Sequence, residues 1–159
     1  MIKMIVCVDK NGGIGFNDEL VFNIKEDMEF FKSTTTGHKI IMGYNTWLSL
    51  PNKPLPNRDN YVLYNGVEEI EGAGVLRDLA QVKELAENDV VFVIGGAMVY
   101  NEFLYAGIID EAYVTVVHEQ SGANKFIDII ELNRMLPNRE YIQDFKDDNL
   151  QVQLFRFFK

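Results

Sequence analysis

Apolar residues along this chain fall into short runs whose spacing alternates between that of buried strands and that of amphipathic helices. The runs that predict strands cover 2–8, 39–42, 61–64, 74–76, 90–94 and 112–117. The segments that predict helices cover 25–33, the residues from about 45, 79–86 with Asp78 as cap, and 97–104. Two further runs, 141–145 and 151–157, flank the turn residues 147–149 and predict an antiparallel hairpin.

This order of elements predicts an α/β fold with a mixed, mostly parallel central sheet, flanking helices and a C-terminal antiparallel hairpin. With 159 residues, of which 47% are hydrophobic and 25% charged, the chain has the balance of one globular domain, which we expect to span 1–159. No apolar run reaches the roughly 20 residues that cross a bilayer, and the N-terminal residues lack the features of a signal peptide. We therefore expect a cytoplasmic protein.

The acidic composition narrows the range of partners. A formal net charge of −9 disfavours nucleic acids and acidic membranes, which need a basic binding face, and favours a small-molecule ligand. Cys7 is the single cysteine, which rules out an internal disulfide and suits a reducing compartment. His38 and His118 lack the spacing of metal ligands, so we expect no metal site. We also expect the chain to act as a monomer.

The segment 9–23 is long for a connection between a strand and a helix, and it contains Gly12, Gly13 and Gly15. Long connections without secondary structure of their own are commonly lids or binding segments. We therefore expect this loop to form part of the functional site.

Asp27 lies on the first predicted helix in one stripe with Ile24, Met28 and Phe31, so its carboxylate is expected to face inward. Two interpretations fit this position. An acid in the first turn complements the helix dipole, and position alone favours this interpretation. Alternatively, a carboxylate among apolar neighbours, with no basic side chain in its stripe, suits a ligand with adjacent N–H donors such as a 2-aminopyrimidine edge.

Two predicted strands run into helices through glycine, at Gly43 and at Gly95-Gly96. If the two strands are parallel, the backbone N–H groups at both helix starts would face one crevice and could bind a diphosphate. Each junction alone is weak evidence, because most such glycines only relieve backbone strain. No G-x-G-x-x-G or P-loop pattern occurs, which argues against an ordinary Rossmann domain or an NTPase.

Five segments in a fixed order carry a resemblance to a known family. They are VDKNGGIG at 8–15, DMEFFK at 27–32, IIMGYNTWLSLP at 40–51, PLPNR at 54–58 and VIGGAMVY at 93–100. Together, over nearly the whole chain, they resemble the corresponding segments of the dihydrofolate reductase family. The resemblance is specific because all five segments occur together in this order.

The resemblance implies NADPH-dependent reduction of 7,8-dihydrofolate to 5,6,7,8-tetrahydrofolate, with hydride transfer to C6 and protonation of N5, most simply from water. Asp27 would hydrogen-bond the pterin with support from Thr115, and Arg58 would hold the α-carboxylate of the glutamate tail. Antifolates would also be expected to bind. The residues that the resemblance assigns to the substrate are Ile5, Val6, Leu20, Asp27, Met28, Phe31, Lys32, Leu50, Leu55, Arg58, Ile94, Tyr100 and Thr115.

The resemblance also implies a dinucleotide site at the glycine junctions, with a cis peptide between Gly95 and Gly96. NADPH is the expected cofactor, with NADH possible. The residues that the resemblance assigns to the cofactor are Cys7, Ile14, Gly15, Asn17, Gly43, Tyr44, Asn45, Thr46, Leu63, Tyr64, Asn65, Arg77, Ile94, Gly95, Gly96, Ala97, Met98, Val99 and Tyr100.

Phe22 and Ala123 mark two departures from the family pattern. Phe22, which the resemblance places in the catalytic centre with Asp27, stands where the family has a tryptophan, and it lacks an indole N–H that could hold a water near the pterin. Ala123 stands where some members have an acid that contacts the mobile loop, so we expect a weaker closed state of that loop.

Tyr44 and Met98 form the third departure. They occupy positions that many members fill with basic residues around the adenosine 2′-phosphate, which leaves Asn45, Asn65 and Arg77 to replace them. Two alternatives to the reductase also stay open. One is a same-fold pyrimidine reductase of riboflavin synthesis, which gives Arg58 no role as a glutamate clamp. The other is a catalytically silent module that binds folate or a nucleotide.

Overall fold

The computed structural model of the protein describes residues 1–16, 19–20 and 22–159, and at positions 16, 19 and 20 it describes the backbone only. The strands within these ranges are β1 Ile2–Val8, β2 Gly13–Phe16, β3 Glu19–Leu20, β4 Lys39–Gly43, β5 Asp59–Leu63, β6 Gly74–Leu76, β7 Val91–Gly95, β8 Glu111–Val117, β9 Lys125–Phe126, β10 Asn138–Phe145 and β11 Val152–Phe158. The helices are α1 Lys25–Thr35, α2 Tyr44–Ser49, α3 Leu79–Leu85, α4 Ala97–Tyr105 and α5 Ile129–Met135. None of these helices has the length and apolar character that a membrane span requires.

Eight strands form the central sheet, in the order β10-β11-β8-β1-β7-β4-β5-β6. All neighbours from β8 to β6 run parallel, whereas β11 pairs antiparallel with both β8 and β10. The predicted α/β class, with a mixed, mostly parallel sheet, flanking helices and a C-terminal hairpin, is confirmed.

Strand β4 explains why the central runs are apolar at every position. Ile40 and Met42 pack with Trp47 in one apolar cluster, whereas Ile41 packs with Phe103 in a second one. Because successive side chains of a strand point to opposite faces, the two clusters lie on opposite faces of the sheet. Both faces are therefore covered, as in other parallel sheets, and all three β4 side chains are fully buried.

Helix boundaries follow local hydrogen bonds. The Asp78 side chain accepts a 2.9 Å hydrogen bond from the backbone N–H of Gln81, so the predicted cap of α3 is confirmed. Helix α1 continues past the predicted end at 33 to Thr35, whose hydroxyl donates a 2.7 Å hydrogen bond to the carbonyl of Phe31. Propensity does not predict this extension, because it depends on a buried threonine at the helix end.

The prediction of a connection without secondary structure over 9–23 is wrong, because β2 and β3 lie within it. These strands join β9 in a separate three-stranded sheet in the order β3-β2-β9, in which Gly13 pairs with Phe126. Neither β9 nor α5 is among the predicted elements. The strand partners lie far apart in the sequence, so a local pattern carries little information about them.

The carboxyl ends of four adjacent parallel strands, β7, β4, β5 and β6, lie along one edge of the central sheet. Helix α1 lies over the face that contains the first apolar cluster, since Phe30 and Phe31 pack against that cluster. The edge of the sheet and helix α1 together position the candidate site, as expected for open α/β sheets.

Candidate active site

Asp27 lies in the first turn of α1, and its side chain reaches the central sheet. The hydroxyl of Thr115, a buried residue of β8, donates a 2.6 Å hydrogen bond to Oδ1 of Asp27. Cys7, which faces Thr115 across the β1–β8 pair, donates a second hydrogen bond to this carboxylate through its thiol. Two neighbouring strands thus hold the side chain of Asp27.

Burial raises the pKa of the Asp27 carboxyl above its ordinary value, although the hydrogen bonds from Thr115 and Cys7 oppose this shift. Burial, together with the nearby charge of Asp27, also raises the pKa of the Cys7 thiol, so the thiol stays protonated and remains a donor at neutral pH. Within the described ranges, no lysine or arginine forms an ion pair with Asp27. A desolvated carboxyl without a cation favours a ligand that donates N–H groups.

The partners of Asp27 separate the two interpretations of its position. Helix α1 begins after Ile24 with no side-chain cap, and Asp27 accepts its hydrogen bonds from strand residues instead of from the first turn of the helix. An acid that only complemented the helix dipole would need no such tertiary partners. The geometry therefore favours the ligand interpretation.

The apolar residues predicted for the substrate lie mostly in one place. Ile5 is buried in the first apolar cluster, and the half-buried members of this cluster include Phe31, Leu50, Leu55 and Ile94. Phe22 packs with Cys7 in a third cluster, around Ile24 and Val117. The clusters thus bring apolar surface from α1, the sheet and residues 50–55 to the side of the sheet on which Asp27 lies.

Other predicted substrate residues are placed differently. Met28 is 46% exposed and Lys32 is also exposed, so the prediction that Met28 belongs to an inward stripe is wrong. Val6 packs in the second cluster, so its side chain lies on the opposite face of the sheet from Ile5. Tyr100 is buried, and its hydroxyl donates a 2.7 Å hydrogen bond to the carbonyl of Ile5. The side chain of Leu20 lies outside the described part of the chain.

Arg58 lies at the opposite end of α1 from Asp27. Its Nε donates a 2.9 Å hydrogen bond to the carbonyl of Pro56, and its Nη1 donates a 3.2 Å hydrogen bond to the hydroxyl of Thr35. The guanidinium lies 5.9 Å from the centre of the Phe31 ring. Partial burial lowers the pKa of Arg58 somewhat from a value so high that the group remains charged. No hydrogen bond within the described residues occupies Nη2, which is available for a carboxylate.

Helix α1 sets the distance between these two charged groups. With a rise of about 1.5 Å per residue, the Asp27 and Thr35 positions are about 12 Å apart along the helix axis. The site therefore suits an elongated ligand that has N–H donors at one end and a carboxylate at the other.

The two glycine junctions are neighbours, because β4 and β7 pair in parallel. A Cβ added at Gly43 would lie 3.0 Å from Cγ2 of Val99 and 4.0 Å from both the Gly95 oxygen and the Gly96 nitrogen. A Cβ added at Gly96 would lie 3.3 Å from the hydroxyl of Thr46. The Gly95-Gly96 peptide is cis, as the resemblance implies. The absence of side chains here leaves a cradle of backbone and hydroxyl groups that fits the diphosphate of a dinucleotide.

Most residues predicted for the cofactor occupy the carboxyl ends of neighbouring strands. Those from β4 and the start of α2 are Gly43, Tyr44, Asn45 and Thr46, and those at the end of β5 are Leu63, Tyr64 and Asn65. Arg77 follows β6, and the set from Ile94 to Tyr100 spans the end of β7 and the start of α4. Their order along one edge matches the extended shape of a dinucleotide.

The remaining predicted cofactor residues lie nearer to β1. Cys7 is on β1 itself, and Ile14 and Gly15 are on β2, where Ile14 packs into the second apolar cluster. Within the set 94–100, Met98 is 82% exposed, whereas Val99 is buried beside Gly43. Asn17 lies outside the described residues.

Asp9 is a buried acid that sequence reasoning missed. Its carboxylate accepts hydrogen bonds of 2.7 Å from the backbone N–H groups of both Asn11 and Gly13, and one of 2.5 Å from the hydroxyl of Ser121. The pKa of Asp9 lies below its ordinary value, because these hydrogen bonds outweigh the opposing effect of burial. An acid directly after a buried strand is the signal that could have identified it.

Residues 119–127 contact the loop after β1 in several places, despite the alanine at position 123. The backbone N–H of Asn124 donates a 2.9 Å hydrogen bond to the carbonyl of Gly15, and that of Ile127 donates a 3.0 Å bond to the carbonyl of Gly12. Asp9 adds a charged link from the other side through Ser121. These hydrogen bonds join the two loops without a side-chain contribution from Ala123.

The family model described as dihydrofolate reductase matches residues 1–157. A dihydrofolate reductase of Ureaplasma parvum is 35% identical over 148 residues, which cover 91% of this chain and 93% of that protein. One from Bacillus subtilis is 36% identical over 152 residues, covering 93% and 87% respectively.

The fold has a solved counterpart as well. A dihydrofolate reductase from Enterococcus faecalis, solved in complex with NADP(H) and RAB-propyl, superimposes with a TM-score of 0.82 at 24% identity. The alignment covers 99% of this chain and 95% of that one. With the family model matching almost every residue and relatives above 30% identity over most of their length, this chain belongs to the dihydrofolate reductase family.

Proposed function

We propose that this chain reduces 7,8-dihydrofolate to 5,6,7,8-tetrahydrofolate with NADPH, and that Asp27 and Arg58 bind the two ends of the substrate. The arrangement of these two groups at opposite ends of α1 is the observation that carries the proposal. Dihydrofolate has the matching chemistry, with a 2-aminopyrimidine edge at one end and a glutamate tail at the other. The balanced reaction consumes NADPH and one proton and releases NADP⁺.

Asp27 binds and orients the pterin. The 2-amino group and the adjacent ring N–H donate to its carboxylate, while Thr115 and Cys7 hold that carboxylate from the sheet. The apolar cluster around Ile5 and Phe31 excludes water from the ring, which strengthens these hydrogen bonds. N5 of the pterin then takes its proton from water while Asp27 fixes the orientation of the ring.

Arg58 binds the glutamate end. Its contacts with Pro56 and Thr35 hold the guanidinium in place, and its remaining N–H groups can donate to a carboxylate in a paired arrangement. A local cation is also needed because the protein as a whole carries a formal charge of −9. A pyrimidine reductase acting on a substrate without a glutamate tail would have no use for this group.

The glycine cradle at Gly43, Gly95 and Gly96 would hold the diphosphate of the cofactor through backbone groups, with the hydroxyl of Thr46 alongside. When bound, the nicotinamide supplies the hydride that C6 accepts. The residues at the ends of β5 and β6, which follow β4 along the same edge of the sheet, would then contact the rest of the cofactor.

The test is a steady-state assay that follows loss of NADPH absorbance at 340 nm. The rate should require dihydrofolate, and it should fall on the order of 100-fold or more in Asp27→Asn near neutral pH. Glu29→Gln, a change at an exposed acid of the same helix, is the matched control and should keep the wild-type rate. Turnover of a riboflavin-pathway pyrimidine in place of dihydrofolate, or ligand binding without turnover, would refute the proposal.

We further propose that the chain acts as a single domain over 1–159, as a cytoplasmic monomer that binds small molecules and not nucleic acid. The net charge of −9 supports the part of this proposal that concerns nucleic acid, because polyanion binding needs a basic face. Light scattering coupled to size-exclusion chromatography should give the 18.3 kDa mass of one chain.

A further inference from the structure

We propose that Tyr44, Tyr64 and Arg77 form a subsite that binds the adenosine end of the dinucleotide by aromatic contact, with little contribution from a 2′-phosphate. The chain would then bind NADH and NADPH with comparable affinity. This inference rests on the proposed function, because it requires a nicotinamide dinucleotide at the carboxyl edge of the sheet.

The location of the subsite follows from the order of the strands. Asp27 lies beside β1 and β8, and the glycine cradle lies at the ends of the next two strands, β7 and β4. A dinucleotide with its reactive ring near Asp27 and its diphosphate in the cradle must extend past β4 toward β5 and β6. The residues at those two strand ends are Tyr64 and Arg77, beside Tyr44 at the end of β4.

The first observation is an aromatic pair at this place. The rings of Tyr44 and Tyr64 stack with centres 4.5 Å apart and an angle of 24° between their planes. Tyr44 nevertheless remains 37% exposed, so the pair still offers ring surface to a ligand. Purine bases stack on such surfaces regardless of whether the ribose carries a phosphate.

The second observation is that the guanidinium of Arg77 already makes hydrogen bonds within the protein. Both terminal nitrogens of Arg77 are directed at backbone carbonyls of the adjacent loop: Nη1 donates to Tyr64 at 3.2 Å and to Gly66, and Nη2 donates to Glu68 at 3.2 Å. The guanidinium also lies 5.9 Å from the centre of the Tyr64 ring. A paired contact with a phosphate would require Arg77 to give up these bonds.

The third observation is the charge of the subsite. The segments 43–46, 63–68 and 76–78 contain one basic residue, Arg77, and Glu68 accepts a 2.8 Å hydrogen bond from the hydroxyl of Tyr64. Glu68 lies close enough to Arg77 to interact with it electrostatically, so a phosphate bound here would meet a carboxylate as well as the cation. A phosphate dianion would gain little here, particularly in a protein with a formal charge of −9.

Binding of fragments tests this inference without turnover. Isothermal titration of the wild type with adenosine 5′-diphosphate and with its 2′-phosphorylated derivative should give dissociation constants within about threefold of each other. Each charge-assisted hydrogen bond to a phosphate is worth roughly tenfold or more in affinity. A 2′-phosphate preference above about 30-fold, or no binding of either fragment by a protein that binds NADPH, would overturn the inference.

A variant that adds a cation to the subsite should create the preference for a 2′-phosphate that the wild type lacks. Tyr44→Arg places in the subsite a cation that is not already hydrogen-bonded to backbone carbonyls, as Arg77 is. The preference for the 2′-phosphorylated fragment should rise tenfold or more, and so should the preference for NADPH over NADH. Tyr44→Phe keeps the ring and should leave the ratio unchanged. Tyr105→Arg adds the same charge at a 62% exposed tyrosine of α4, and controls for the general effect of charge. Equal shifts in Tyr44→Arg and Tyr105→Arg would count against the subsite.

The outcomes also separate this inference from the proposed function. A chain that reduces dihydrofolate with a strong NADPH preference would keep the function and lose the subsite. A chain that binds both fragments equally but reduces no dihydrofolate would keep the subsite and lose the function.

Discussion

The hydroxyl of Thr115 donates to Oδ1 of Asp27 across 2.6 Å, joining the first turn of α1 to the centre of the sheet. This hydrogen bond stabilises the ionised form of a carboxyl whose pKa burial raises. Thr115→Val should therefore raise the pKa of Asp27 further and move the acid limb of the kcat/KM profile to higher pH. Thr115→Ser, which keeps the hydroxyl, should restore the wild-type limb, and an unmoved limb in Thr115→Val would contradict this role.

Replacing Asp27 should make the protein more stable while it removes activity. A folded-state pKa above the unfolded value means that the folded protein binds more protons in the interval between them, so stability falls as pH rises through that interval. At neutral pH the ionised, desolvated carboxylate is therefore destabilising. Asp27→Asn should unfold at higher urea concentration than the wild type at pH 7, and this advantage should shrink below the ordinary pKa of aspartate. A loss of stability at pH 7 would show that the carboxylate stabilises the fold.

Substitution of Arg58 should weaken binding of dihydrofolate but leave a substrate without a glutamate tail unaffected. Arg58→Ala removes the cation opposite the glutamate tail, so KM for dihydrofolate should rise roughly 10- to 100-fold with a smaller change in kcat. A dihydropterin substrate without the glutamate tail should be reduced equally well by both proteins. Arg134→Ala, at an exposed ion pair on α5, is the control for loss of an arginine. Equal KM values for dihydrofolate in wild type and Arg58→Ala would remove Arg58 from the site.

Gly43→Ala should weaken cofactor binding selectively. The new Cβ would lie 3.0 Å from Cγ2 of Val99, at the point where the backbone approaches the proposed diphosphate. We expect the dissociation constant for NADPH to rise tenfold or more, while binding of dihydrofolate changes little. The double variant Gly43→Ala/Val99→Ala relieves the side-chain contact and should recover thermal stability without recovering NADPH affinity. Full recovery of both would indicate a packing effect alone.

Asp9 should stabilise the fold at neutral pH and lose this effect in acid. Asp9→Ala leaves the N–H groups of Asn11 and Gly13 without their acceptor, at a cost of about 2 kcal/mol in the free energy of unfolding at pH 7. Because the folded-state pKa of Asp9 is lowered, its stabilisation is present above the ordinary pKa and is lost as pH falls through the folded value. In urea unfolding, the free energies of unfolding of wild type and Asp9→Ala should therefore approach each other as the pH falls. A difference that stays constant with pH would show that the ionised carboxylate of Asp9 is not what stabilises the fold.

The local order of residues was sufficient to predict most of the sheet and its helices. The β4 run is apolar at each position because both faces of that strand are covered, and the cap at Asp78 acts within three residues. The glycine junctions and the helix position of Asp27 are likewise visible in the sequence. Each of these features depends on neighbours along the chain.

The small sheet, the partners of Asp27 and the aromatic pair depend instead on contacts between segments that are distant in the sequence. The partner of Asp27 on β8, the pairing of β2 with β9 and the stacking of Tyr44 on Tyr64 each join segments that only the fold brings together. Residues close in sequence share a local pattern, whereas side chains from separate strands meet only after the sheet order is set. The sequence could thus identify Asp27 as an acid in need of a partner, and the resemblance already implied Thr115 in that role. The tertiary structure supplied the hydrogen bond itself, and Cys7 as a second partner that was not expected there.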